Sequence, residues 1–169
     1  AVGEAADLSD IANSVAAIER TYERLGSDDD VTKTSMRPYI QEILTAVFAV
    51  CALGPVRINS NVEEFSLQTR SAVALGLIIN ELATNAMKHA FTAKEEPWFD
   101  IELQSTDEDQ TVRLVASNSG TPFPLELDIA TATSMGMRLI GALVEQIGGR
   151  MELRRTPHTT VTITFPTPK

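Results

Sequence analysis

The segment from Gly76 to Phe91, GLIINELATNAMKHAF, constrains this chain more than any other. It reads as one helix. Leu77, Ile78, Leu82 and Ala86 form an apolar stripe at helical spacing, suited to lying on a sheet. Glu81, Asn85, Lys88 and His89 follow one another at i, i+4, i+7 and i+8, so a regular α-helix projects them together from another face. That row combines a proton acceptor, a hard oxygen ligand, a counter-charge for phosphate and a ring able to stack. It equally suits a solvated face with a loose Glu/Lys pair, and spacing alone does not separate the two.

At 169 residues the chain is long enough for one substantial domain with a short helical appendage. No apolar run approaches the ~20 residues of a membrane span. Glu4, Asp7 and Asp10 stand where a secretory leader would be basic and then apolar. The single cysteine, Cys51, lies in an apolar run and points to a reducing, cytoplasmic setting. A formal charge of −9 argues against a broad nucleic-acid surface, which needs clustered Lys and Arg to displace counterions. It leaves room for a small anionic ligand held by a few local donors and a cation.

Residues 4–25 are expected to form an acidic amphipathic helix on Leu8, Ile11, Val15, Ile18, Tyr22 and Leu25, closed by Gly26. A second helix is expected from about Met36 to Leu53, with Pro38 tolerated in its first turn and Gly54-Pro55 stopping it. The pair reads as a helical hairpin whose apolar stripes need a partner: a second copy, or the domain that follows. Val56–Ile58 then alternates as a short strand, with a polar loop around Asn59–Glu64 and the long helix starting near Thr69. Trp98–Leu103 and Val112–Ala116 read as a β-hairpin. A Gly/Pro-rich connection, an irregular stretch (125–134) and a helix over Gly136–Ile147 come next. Strands over Met151–Arg154 and Thr160–Phe165, with Pro157 between them, close the chain. The order is α+β: a mixed sheet, largely of hairpins, with helices on one face.

Two further segments are placed to meet the long helix. In Val115–Pro124 a strand runs into a glycine turn, with Asn118 at the strand end and Gly120 allowing close backbone approach. In Ser134-Met135-Gly136-Met137-Arg138 a loop enters a helix whose first N–H groups suit phosphate.

In this order and spacing the chain resembles the catalytic ATP-binding domain of a sensor histidine kinase, within the group that includes gyrase, the Hsp90 chaperones and MutL. GLIINELATNAMKHAF is similar to that family's N-box, NSGTPFP stands at its first glycine box, and SMGMRLIGALVEQIGGRMEL at its second. The closing TTVTITFP resembles its last strand, and the wording is nearest to the HWE-like subfamily. The resemblance implies a two-layer α/β sandwich, the Bergerat ATP-binding fold, over residues 55–169. Residues 1–54 would be a partial dimerisation and phosphotransfer region lacking the acceptor-histidine helix. It implies ATP and Mg²⁺ as cofactors. Asn85 is then the metal ligand, Lys88 a phosphate contact, His89 a ring against the nucleotide and Glu81 a general base. Asn118, Gly120, Gly136, Met137 and Arg138 would bind nucleotide, with Thr159 or Thr160 near the adenine.

The implied reaction is transfer of the ATP γ-phosphoryl to a histidine for relay to a response regulator. The implied setting is a cytoplasmic, bacterial-type homodimer formed through the hairpin, free to be membrane-attached through other segments. The only histidines, His89 and His158, are not placed as phosphoacceptors, so the chain is expected to be part of a longer kinase and not to autophosphorylate alone.

Some positions depart from the family pattern. Asn118 replaces an Asp, Pro122 replaces the second glycine of that box, and Ser134 replaces the first glycine of the next. A neutral acceptor at Asn118 weakens the adenine contact, so Asn118→Asp is expected to tighten binding. The same departures support a rival reading: a kinase-like adapter or phosphotransfer scaffold with weak or no ATP binding. An anti-sigma-type serine kinase is disfavoured by the hairpin, and a chaperone- or topoisomerase-type ATPase by the lack of a transducer domain.

Overall fold

The computed structural model describes residues 33–106, 108–124 and 135–167. The helix expected over 4–25, the irregular stretch 125–134 and Ser134 lie outside them. Strands are β1 (Lys33–Ser35), β2 (Arg57–Val62), β3 (Ser66–Gln68), β4 (Trp98–Thr106), β5 (Thr111–Asn118), β6 (Arg150–Arg154) and β7 (Thr159–Pro166). Helices are α1 (Met36–Phe48), α2 (Thr69–Asn85) and α3 (Met135–Gln146), and α2 runs into a π-helical turn over Ala86–Ala90.

The main sheet has five strands in the order β2-β4-β5-β7-β6. β2 pairs parallel to β4, and the other neighbours are antiparallel. The sheet is therefore mixed, and the α+β expectation holds. One face alternates inward: Phe99, Ile101 and Leu103 on β4, Val112, Leu114 and Ala116 on β5, and Val161, Ile163 and Phe165 on β7 are all buried. The three helices belong to the same core. Leu75, Ile78 and Ile79 of α2 are fully buried, and α2 lies between α1 and α3. Burial runs almost around α2: from Ser71 to Ala83 every residue except Val73 is buried, Asn80 and Glu81 included.

α1 ends earlier than expected. Past Phe48 the chain keeps apolar residues but finds no core to bury them, leaving Val50 77% and Leu53 44% exposed. Gly54, at φ +99°, then turns the chain. β2 runs further than expected, to Val62. Asn59, Ser60 and Asn61 have low strand preference, but their pairing with Asp100, Ile101 and Glu102 overrides it. β1 and β3 were not foreseen; they form a small antiparallel pair with Thr34 and Leu67 buried.

The expected division at 54/55 does not separate two cores among the described residues. Met36, Tyr39, Ile40, Leu44, Val47 and Phe48 of α1 join the cluster built by α2, α3 and the sheet. Tyr39 lies across Gly76, whose missing side chain makes room for the ring. Phe48 packs its ring 5.2 Å from Phe99 and 6.1 Å from Phe91. Arg37 ties the start of α1 to the β2–β3 connection, donating from Nε to Val62 O (2.9 Å) and from Nη1 to Glu64 Oε1 (2.8 Å). Among the described residues no helix is long and apolar enough to cross a membrane.

Candidate nucleotide-binding site

The C-terminal end of α2, the start of β4, the end of β5 and the start of β7 meet at one edge of the sandwich. Register brings them there: Phe99 pairs with Asn118, and Asn118 with Thr159. Between them and α3 lies a cavity of about 380 Å³, within the ~300–1,000 Å³ usual for small-molecule sites. Phe99, Ala116 and Val161 form its apolar floor. Leu82, Asn85, Ala86, His89 and Ala90 form one wall and Met137 another, while Thr121–Pro124 cover it and Asn118 and Thr159 stand at the strand ends.

The wall from α2 is not a regular helix. Over Ala86–Ala90 the hydrogen bonds lengthen to i→i+5, with Phe91 N donating to Ala86 O at 2.8 Å. One extra residue in a turn rotates everything beyond Asn85, and such turns often accompany functional sites. The shared polar row expected for an α-helix is therefore split. Asn85 and His89 line the cavity; Lys88 is exposed and does not line it. Glu81 is 7% exposed and lies outside the cavity wall, beneath the start of α3. Arg138 is exposed and outside it as well.

Asn85 donates from Nδ2 to Met137 Sδ at 3.6 Å. That contact leaves its Oδ1 as the polar atom of the side chain available for a cation. Asn118 donates from Nδ2 to Ser119 O at 2.8 Å, which leaves its Oδ1 as an acceptor at the cavity's end. Ser119 is 1% exposed and fixes this corner, accepting from Trp98 N at Oγ (2.9 Å) while its own N–H donates to Trp98 O (3.1 Å). Thr159 lines the cavity, and its Oγ1 accepts from Phe123 N at 3.4 Å. Thr160 points to the other sheet face, where its Oγ1 lies 3.0 Å from Ser117 Oγ. Of the two threonines, only Thr159 belongs to the site.

Both glycines of the expected site stand at close contacts. Gly120 (φ +94°) packs directly on the carbonyl of Ala90, which a Cβ would strike, and Thr121 N donates to that oxygen at 2.8 Å. Its function in the structure is to join the glycine turn to the π-helical turn. At Gly136 a Cβ would sit 2.7 Å from Glu81 Oε2 and 3.8 Å from Asn85 Oδ1. Thr121 and Phe123 lie in the Val115–Pro124 segment singled out in the sequence, whereas Phe99 and Val161 were missed. The inward alternation of β4 and β7 was the available signal for those two, but only the strand register shows which members reach the cavity.

Among the described residues no three or more His, Cys, Asp or Glu side chains group to hold a metal. Mg²⁺ brought in with a nucleotide would keep waters and phosphate oxygens and ask for only one or two protein oxygens. Asn85 Oδ1 is such an oxygen.

The family described as "Histidine kinase-, DNA gyrase B-, and HSP90-like ATPase" matches residues 71–169. Blue-light-activated histidine kinase 2 of Erythrobacter litoralis is 21% identical over 157 residues, covering 90% of this chain and 45% of that protein. Sensor histidine kinase PdtaS of Mycolicibacterium smegmatis is 25% identical over 131 residues, covering 77% of this chain and 26% of that protein. The chain thus spans less than half the length of these curated relatives. The histidine kinase domain of an Erythrobacter litoralis blue-light-activated histidine kinase has the same fold. The two superpose with a TM-score of 0.81 at 20% identity, over 92% of this chain and 74% of that one. This chain belongs to the histidine kinase-, DNA gyrase B- and HSP90-like ATPase family.

Proposed function

We propose that this domain holds Mg·ATP in the cavity between α2, α3 and the strand ends and passes its γ-phosphoryl to a histidine outside these residues. The observation that carries the reading is the pairing of Asn85 Oδ1 and Asn118 Oδ1 in one apolar-floored cavity. The planar base lies on Phe99, Ala116 and Val161 under Phe123 and Pro124, and Asn118 Oδ1 accepts from its exocyclic amine. The phosphates extend towards Asn85 and the start of α3, where His89 borders them and Lys88 and Arg138 approach from outside the rim. When bound, Mg²⁺ neutralises charge on the phosphates as the phosphoryl leaves. The chain's own contribution is orientation and exclusion of water.

Neither histidine suits the acceptor role. His89 is part of the cavity wall, and His158 packs edge-on against Trp98 at 5.0 Å. The relay partner in this reading is a response regulator, and the protein acts in the cytoplasm. In this reading the protein is a homodimer. Calorimetric titration of the chain with ATP, with and without Mg²⁺, tests the binding step: Mg²⁺-dependent heat supports it.

The adapter reading keeps one specific observation in its favour. Pro122 covers the cavity without a backbone N–H to offer a phosphate. Absence of heat even at millimolar nucleotide would favour that reading and sink the kinase one.

A further inference from the structure

At the strand ends the cavity is lined by two side chains able to hydrogen-bond, Asn118 and Thr159. Thr159 Oγ1 accepts from Phe123 N at 3.4 Å, and its hydroxyl hydrogen is left to turn. A hydroxyl serves as donor or acceptor by such rotation, so Thr159 distinguishes little between the two on a ligand. A primary amide has a donor at one end and an acceptor at the other, and turning it over exchanges them. Which end of Asn118 faces the cavity therefore decides which ligand atom it suits.

Asn118 Nδ2 lies 2.8 Å from Ser119 O, a contact that only the donor end can make. That carbonyl is held from both sides. Ser119, 1% exposed, donates its N–H to Trp98 O at 3.1 Å and accepts from Trp98 N on Oγ at 2.9 Å. On the other side Gly120 packs on the Ala90 carbonyl, to which Thr121 N donates at 2.8 Å. Turned over, the amide would set Oδ1 against this fixed oxygen and leave both acceptors unmatched.

We propose that Asn118, pinned by the Ser119 carbonyl, is a specificity-determining residue that selects a 6-amino purine over a 6-oxo purine. The inference rests on the nucleotide reading above, in which Asn118 Oδ1 accepts from the exocyclic amine of the base. Adenine presents an amine there, whereas guanine and hypoxanthine present an oxygen that meets Oδ1 acceptor to acceptor. A carboxylate at this position rejects a 6-oxo group whichever way it turns. An amide does so only while its nitrogen is held elsewhere, and the backbone of the next residue holds it.

The test is calorimetric titration of the chain with ADP, GDP and IDP, each with Mg²⁺. IDP carries the 6-oxo group without guanine's 2-amino group, so it separates a mismatched hydrogen bond from simple bulk. The parent should bind ADP at least about tenfold more tightly than IDP or GDP. Asn118→Asp, which has no donor to turn inward, should keep the ADP-to-IDP ratio within about threefold of the parent's, and Asn118→Ala should bring the two ligands to within about threefold of each other. Near-equal binding of ADP and IDP by the parent, with Asn118→Asp still separating them, would mean that the amide turns; the proposal would fall and the kinase reading would stand. A full ADP preference kept by Asn118→Ala would place the discrimination elsewhere and also overturn it. Binding of none of the three at millimolar concentration would overturn the proposal together with the kinase reading.

Discussion

Asn118 has an amide where the kinase pattern has a carboxylate, and its surroundings decide what that exchange means. Its Nδ2 is committed to Ser119 O at 2.8 Å, leaving Oδ1 to the ligand. A carboxylate in the same rotamer would set an oxygen against that carbonyl. Charge-assisted acceptance gains about 1 kcal/mol over a neutral bond, and losing the donor to Ser119 O at this part-buried position costs a similar ~1 kcal/mol. The two nearly cancel. Asn118→Asp is therefore predicted to bind ATP no more tightly than the parent, reversing the expectation from sequence. Asn118→Ala should weaken ATP about three- to tenfold by calorimetry, the worth of one neutral hydrogen bond. Asn85→Ala should remove the Mg²⁺ dependence of nucleotide binding; dependence that persists would deny Asn85 the metal. Asn85, His89, Asn118 and Met137 were legible as candidates because polar or backbone-special positions stand out in a sequence. Phe99 and Val161 were not, because an apolar residue becomes a cavity floor only through register.

At the scale of elements, the long helix could be read from its start at Thr69 almost to its end. The π-helical turn could not, because apolar spacing does not reveal an added residue in the last turn. That turn is what parts Lys88 from Asn85 and His89. It is held by Gly120, which lies at φ +94° against the Ala90 carbonyl. Alanine there meets both the left-handed backbone and that oxygen. The backbone alone costs on the order of 1–3 kcal/mol, so Gly120→Ala should lower Tm by roughly 5 °C or more in a thermal melt. An unchanged Tm would mean the turn is not the clasp described. β1 and β3 escaped notice for a related reason: strands of three residues each carry too little pattern, and only their mutual pairing defines them.

The described residues share one core that reaches from Met36 to Phe165. Sequence texture changes at Pro55, and α1 packs on the same core as the residues that follow it. α1 covers α2 through Tyr39 and the sheet edge through Phe48. Phe48→Ala is predicted to cost about 3–5 kcal/mol in urea unfolding, a large share of the ~5–15 kcal/mol that holds a typical domain together. A chain begun at residue 55 should lose its cooperative transition and bind ANS, since Gly76, Phe91 and Phe99 would be uncovered.

The fold and the mixed sheet followed from element order, whereas membership of α1 in the core required the packing itself. The central claim is that the edge of this core is where nucleotide sits. Backbone amide chemical shifts of the chain, recorded as ADP and Mg²⁺ are added, test it most directly. The account predicts the largest changes at Asn85, His89, Asn118, Thr121 and Met137, around the cavity. Saturating changes confined to another surface, or none at millimolar ADP, would contradict it.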